Sequence, residues 1–146
     1  DNQKDIVTGE SEDNTYGVWG GVEQQLSSRN LPNQGLYGFM NFSFHNKTTN
    51  KIGNMQQVGL KYIGLLDTHA NDIFGLAINR ISVSDRFRAN YSNINEDAEY
   101  NFEINYSYFP VKWLMLRPNM QYIIHPGATN YINNALVLGF SSKIIF

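Results

Sequence analysis

Between residues 99 and 108 the side chains of this chain alternate in sign of polarity at every step. Tyr100, Phe102, Ile104, Tyr106 and Tyr108 occupy one parity, and Glu99, Asn101, Glu103, Asn105 and Ser107 the other. A period of two over that length places apolar groups on one face of an extended strand and cannot form an amphipathic helix. The same rhythm recurs along the chain. It marks about seven segments, 15–26, 36–46, 55–66, 72–82, 97–109, 113–124 and 135–146. Each is roughly as long as a tilted strand needs to be to cross a bilayer.

The connections between these segments are expected to alternate too. Residues 27–35, 67–71 and 110–112 read as short turns. Residues 1–14, 47–54, 83–96 and 125–134 read as longer loops rich in Asn, Asp, Ser, Thr and Lys. Short turns on one side and long loops on the other is the pattern of an outer-membrane β-barrel. With Phe146 on the periplasmic side, counting back puts every longer segment outside the cell. Composition permits this. Hydrophobic residues make up 42% of the 146, and mean hydropathy is −0.38, with no run of the roughly 20 apolar residues that a spanning helix needs. That excludes helical membrane proteins and says nothing against a barrel, whose apolar residues hide at alternate positions.

Other totals narrow the function. The formal net charge is −2 with no basic tract, so nucleic acid is not an expected partner. There are no cysteines, hence no disulfide or thiol chemistry. His45, His69 and His125 are the three histidines, and the expected topology puts His69 at the opposite end from the other two, which argues against a shared metal. No cofactor is expected. A Ser-His-Asp site assembles only by free choice among loop residues.

The parity of each segment assigns faces. Leu136, Leu138, Phe140 and Ile144 share one face of the last segment. Leu114, Leu116, Met120, Tyr122 and Ile124 share one face of the segment before it. These are expected to face lipid. Trp113, Arg117, Asn119 and Gln121 then face inward, as do Glu99, Asn101, Glu103 and Asn105, and further back Trp19, Glu23 and Gln25. Arg80 is awkward: it shares parity with Phe74, Leu76 and Ile78. Arg or Lys on a lipid face at mid-depth costs about 2–4 kcal/mol, so Arg80 is expected near the strand's outer end, its long stem snorkelling. Periodicity alone leaves a soluble antiparallel sandwich or ligand-binding β-barrel open, with the apolar parity turned into a closed core.

Residues 101–146, "NFEINYSYFPVKWLMLRPNMQYIIHPGATNYINNALVLGFSSKIIF", resemble the carbohydrate-selective porin family of the OprB type. The resemblance rests on Glu103, Trp113, Leu116, Pro118, Gln121, Tyr122, Pro126, Gly127, the run Ala135 to Gly139 and the closing Phe146. "QGLYGFMNFSF" and "VGLKYIGLL" followed by "DIFGLAI" resemble the family's preceding strands more loosely. It implies an all-β fold: a transmembrane antiparallel up-and-down β-barrel of about sixteen strands, of which this chain is the C-terminal part. It also implies a bacterial outer-membrane, multi-pass location and a terminal aromatic strand read by the assembly machinery. The implied function is passive, diffusion-driven passage of small carbohydrates without catalysis.

Length is the departure, since family members are much longer. About seven strands leave two sheet edges whose unpaired amides would face hydrocarbon, at a cost of several kcal/mol per group. Residues 15–146 are therefore expected to complete a barrel with N-terminal strands that lie outside this chain. Residues 1–14 are expected to be an external loop or its nicked start. Expected partners are outer-membrane lipid, small sugars and those strands, with the oligomeric state left open. Trp19, Glu23, Gln25, Glu103, Asn105, Arg117, Asn119 and Gln121 are the candidate sugar-contacting lining. Carboxylates, amides and guanidinium match hydroxyls, and an indole matches the apolar face of a pyranose. The same residues also suit plain wetted lining, with Arg117 paired to Glu103. The other function class in play is a small outer-membrane barrel enzyme or anchor.

Overall fold

The structure, a computed structural model, describes residues 3–145. The closing Phe146 and the first two residues lie outside that range. Two short strands, β1 (Gln3–Lys4) and β2 (Ser11–Glu12), form a small hairpin. Seven long strands follow. They are β3 (Gly17–Ser28), β4 (Gly35–His45), β5 (Ile52–Ile63), β6 (Ile73–Val83), β7 (Ala98–Val111), β8 (Leu114–Ile124) and β9 (Ala135–Ile144). They pair strictly in chain order, every pair antiparallel. This is an up-and-down meander whose edges are β3 and β9. The one helix among the described residues, α1 (Asp85–Asn90), interrupts the connection from β6 to β7.

The register carries the sequence parity across all seven strands. One row runs Met40, Val58, Ile78, Phe102, Tyr122, Leu136. The next runs Leu60, Leu76, Ile104, Met120, Leu138. Tyr62, Phe74 and Tyr106 form an aromatic row on the side of the Lys112–Trp113 turn. Toward the other end the same face turns polar, with Phe42, Gln56, Arg80 and Tyr100 in one row and Asn54, Ser82 and Ala98 in the next. A one-residue slip in any pair would break these rows.

No core covers the apolar rows. Ala98, Met115 and Ala128 are the buried hydrophobic residues among those described, whereas Leu138 is 76% exposed and Phe140, Leu136 and Val58 are exposed as well. A soluble sandwich or closed ligand-binding barrel would bury this face. Among the described residues, then, the apolar parity is not turned into a closed core.

Arg80 no longer conflicts with its face. Its Nη2 donates to Asp97 Oδ2 at 2.7 Å and its Nε to the Tyr100 hydroxyl at 3.3 Å, at the loop end of β6. The guanidinium thus leaves the apolar rows along the Tyr100 ring.

The expected alternation of connection lengths holds for 84–97 and 125–134 against 112–113. It fails earlier, because 46–51 is as short as 29–34 and 64–72 is longer than either. The strands took residues that the sequence reading gave to loops. β5 begins at Ile52, and its pairing reaches Asn54 opposite Phe44. At its far end β5 stops at Ile63, because Gly64 takes φ +72°, a left-handed conformation that ends the strand and leaves Leu65 and Leu66 in the turn. The turn 29–34 is ordered by side chains. Gln25 donates to Pro32 O and Gln34 O, both at 2.9 Å, and Arg29 reaches across to Gly64 O, Leu65 O and Asp67. Asp72, just before β6, accepts from Phe109 N at 2.9 Å and from the Tyr106 hydroxyl at 2.6 Å.

The polar face shows a recurring cross-strand device. Four glycines each stand opposite a larger residue of the adjacent strand: Gly21 opposite Asn41, Gly59 opposite Phe39, Gly75 opposite Asn105 and Gly139 opposite Asn119. The partner side chain lies flat over the bare backbone, so that an added Cβ would meet it. These are positions where a neighbouring group closely approaches the backbone. The cost of adding a methyl group differs between them. At Gly75 the Cβ would sit 2.8 Å from Asn105 Oδ1, the movable tip of a side chain. At Gly59 it would sit 2.5 Å from Leu76 O, which is backbone. Gly59→Ala is expected to destabilise the intact protein by about 1–3 kcal/mol, the usual cost of overpacking, and Gly75→Ala by less than about 1 kcal/mol. Urea unfolding in lipid, followed by tryptophan fluorescence, measures both.

Candidate functional site

Every site residue named from the sequence lies on the polar face, but the structure employs them unequally. Glu103 sits at the centre of β7 in an amide network. Its Oε1 accepts from Asn105 Nδ2 at 2.9 Å and its Oε2 from Gln121 Nε2 at 3.4 Å, while Gln121 Oε1 accepts from Asn101 Nδ2 at 3.0 Å. Four groups on two strands thereby fix one another's rotamers. Asn105 and Asn119 are also the side chains laid over Gly75 and Gly139.

Arg117 does not pair with Glu103. Its Nε donates to Ser107 Oγ at 2.7 Å, and Nη2 lies 3.8 Å from Met115 Sδ. The register explains this. Glu103 stands opposite Gln121, four residues along β8 from Arg117. The guanidinium therefore meets the hydroxyl of the fully buried Ser107 on β7 before it meets a carboxylate. Among the described residues Arg117 has no acidic partner within salt-bridge distance.

Glu23 instead bridges to Lys61 at 2.7 Å, across the intervening strand β4. The Lys61 ammonium passes over the Tyr37 ring, 4.9 Å from its centroid. Nothing local in the sequence joins Glu23 to Lys61, because they lie on strands two apart. Gln25 is occupied with the turn carbonyls described above, so its amide contributes to turn order. Trp113 is not on the wall: it sits in the turn between β7 and β8, where its carbonyl accepts from Ile145 N at 2.8 Å. Trp19 stands free, 84% exposed, near the loop end of β3.

The loop end is braced by a second set of polar contacts. Ile6 N donates to Thr48 O at 2.9 Å, and Arg86 of α1 pairs with Asp5. Lys47 pairs with Asp85 at 2.7 Å, and Ser84 Oγ donates to Lys47 O at 3.0 Å. The β1–β2 hairpin, the 46–51 connection and α1 are thus tied into one group. A separate tie joins Gly127 N to Glu99 Oε2 at 2.7 Å and Asn130 N to Asn95 Oδ1 at 3.0 Å.

The comparisons now bear on this geometry. The sequence model described as "Carbohydrate-selective porin, OprB family" matches residues 2–146. The chain belongs to the carbohydrate-selective porin family of the OprB type. Porin B of Pseudomonas aeruginosa is 34% identical over 166 aligned residues, covering 100% of this chain and 37% of that protein. A putative porin, QuiX, of Acinetobacter baylyi is 30% identical, covering 92% of this chain and 35% of its own length. Among solved structures, the high-pH form of Pseudomonas putida OprB superposes with a TM-score of 0.83 at 32% identity, covering 98% of this chain and 41% of that one. The low-pH form gives 0.67 at 34% identity, covering 89% and 36%. The chain spans a little over a third of the curated relatives it matches. As an OprB-type segment, the seven-stranded meander is a sector of a barrel, with its β3 and β9 edges on the lines where further strands join.

The two carboxylates of the loop-end brace titrate low. Amide donation from Val7 and Thr8, with the Arg86 guanidinium, holds Asp5 below the ordinary carboxylate range, and Lys47 does the same for Asp85. A carboxylate with a depressed folded-state pKa contributes stability that is fully present above its ordinary value and is lost as pH falls through the lowered one. Hydrogen exchange in the 5–10 and 46–50 segments is therefore expected to stay slow at neutral pH and to accelerate only well into the acid range. Asp5→Asn is expected to show the faster exchange already at neutral pH.

Proposed function

We propose that this chain forms part of the wall of an outer-membrane porin through which small carbohydrates pass down their gradient, with no catalytic step. The observation that carries the reading is the division of one sheet into two faces. One face carries apolar and aromatic rows that turn polar only toward the loop end, and among the described residues nothing packs on them. The other carries amides, paired charges and one exposed indole. Lipid against the first and water against the second satisfies both.

In this reading the strands cross the outer membrane and the polar face is lumen. Trp19, Glu23, Glu103, Asn105, Arg117, Asn119 and Gln121 line it, and Gln25 supports the turn beneath. Flat-lying Asn105 and Asn119 present donors and acceptors without projecting far into the bore, and the Glu23–Lys61 pair neutralises charge that would otherwise repel or trap ions. Such a lining suits weak, repeated contact with hydroxyl-rich solutes, which conduction requires. The rest of the same barrel is the obligatory partner. Residues 3–14 belong with the external loops, since they are tied to 46–51 and α1.

Adjacent residues on β9 test the face assignment. Leu138→Arg in the intact protein is expected to cost about 2–4 kcal/mol at mid-depth and to reduce folded, heat-modifiable protein in the outer membrane. Val137→Arg, one residue earlier and opposite Gln121, is expected to assemble normally and to alter single-channel conductance. The reverse outcome would invert the two faces. Liposome swelling with hexoses checks the transport reading itself.

A further inference from the structure

The polar face holds a depression of about 550 Å³ toward the loop end, between β3 and β6. We propose that it is a docking subsite for a single neutral pyranose, passed on the way into the pore. This rests on the porin reading above and goes beyond it in naming a place and a ligand shape.

Three features carry the proposal. The first is the platform. On β3 the positions flanking Trp19 on its own face are Gly17 and Gly21, so the indole has bare backbone on either side. A flat ring flanked only by glycines on its own strand offers its π-face to the C–H side of a sugar, an apolar surface with axial hydrogens. The second is the polar rim. Asn41 lies over Gly21, and its Nδ2 donates to Gln57 Oε1 at 2.8 Å. That bond fixes the orientation of both amides and leaves Asn41 Oδ1 and Gln57 Nε2 as an acceptor and a donor for neighbouring hydroxyls. Asn79, opposite Gln57 on β6, and Ser43, opposite Trp19 on β4, add further polar groups to the lining. The third is apolar surface. Met55 and Ile81 pair across β5 and β6, on the loop side of Gln57 and Asn79, and contribute to the lining.

Among the described residues the lining contains no carboxylate, guanidinium or ammonium, which suits an uncharged ligand. Its size falls in the range of small-molecule sites and exceeds one hexose, which leaves the ligand mobile. An aromatic face with a few oriented amides gives weak, reversible binding, suited to an entry station.

The test is glucose block of single-channel current in the intact protein in planar bilayers, sugar added to the loop side. Trp19→Ala is expected to raise the half-blocking glucose concentration about tenfold, the loss of one well-placed aromatic contact. Trp19→Phe is expected to stay within about threefold of the parent, and Asn79→Ala to fall between the two. Trp113→Ala, in the far turn, is expected to leave block unchanged. If glucose blocks the parent and Trp19→Ala alike, the subsite is refuted while the pore reading stands. If Trp113→Ala weakens block as much as Trp19→Ala, the effect is global and the subsite is likewise refuted. A parent barrel that neither passes nor is blocked by glucose would remove both the porin reading and the subsite.

Discussion

The inter-strand hydrogen-bond ladder is what holds this sheet together. A domain of this length normally rests on a buried apolar core, and here three small or middling side chains are the only hydrophobic ones that the described residues bury. The ladder is only strong where water cannot compete for it, which is the situation of strands against hydrocarbon. The apolar rows that look like an exposed core failure are thus the condition for the ladder's stability. The same logic explains the two open edges, each of which needs a neighbouring strand before the sheet is satisfied.

Much of this could be read from the chain because a strand in a barrel wall has one variable that the sequence sets directly, its parity. Tyr100 to Tyr108 and Leu136 to Ile144 assign both faces without any knowledge of neighbours, and each long strand appeared within a few residues of its expected span. Where the reading slipped, the cause was local backbone. Gly64 at positive φ stopped β5 short of Leu65 and Leu66, whose apolar character had extended the expected strand. Helix α1 was hidden in a polar stretch whose composition looked like loop.

Side-chain partnerships were far less legible. Arg117 and Glu103 share a face and opposite charge, yet the register puts Gln121 opposite Glu103 and leaves Arg117 to Ser107. Glu23 and Lys61 meet over a strand that separates them. Such pairings depend on register and on strand twist, neither of which parity encodes. Turn supports such as Gln25 and Arg29 also escaped notice, because a polar residue near a strand end looks the same whether it faces water or a row of carbonyls.

The glycine partnerships have a consequence for how such a wall can change. At each of them one strand supplies the vacancy and its neighbour supplies the group that fills it, so the two positions form a single unit of thickness. Enlarging Gly139 alone displaces Asn119, and shortening Asn119 alone bares a stretch of main chain. Changes in the thickness of this wall are therefore expected to come as compensating doublets, one on each side of a ladder rung, and a designer who wished to thin or thicken it would do best to edit across strands rather than along them.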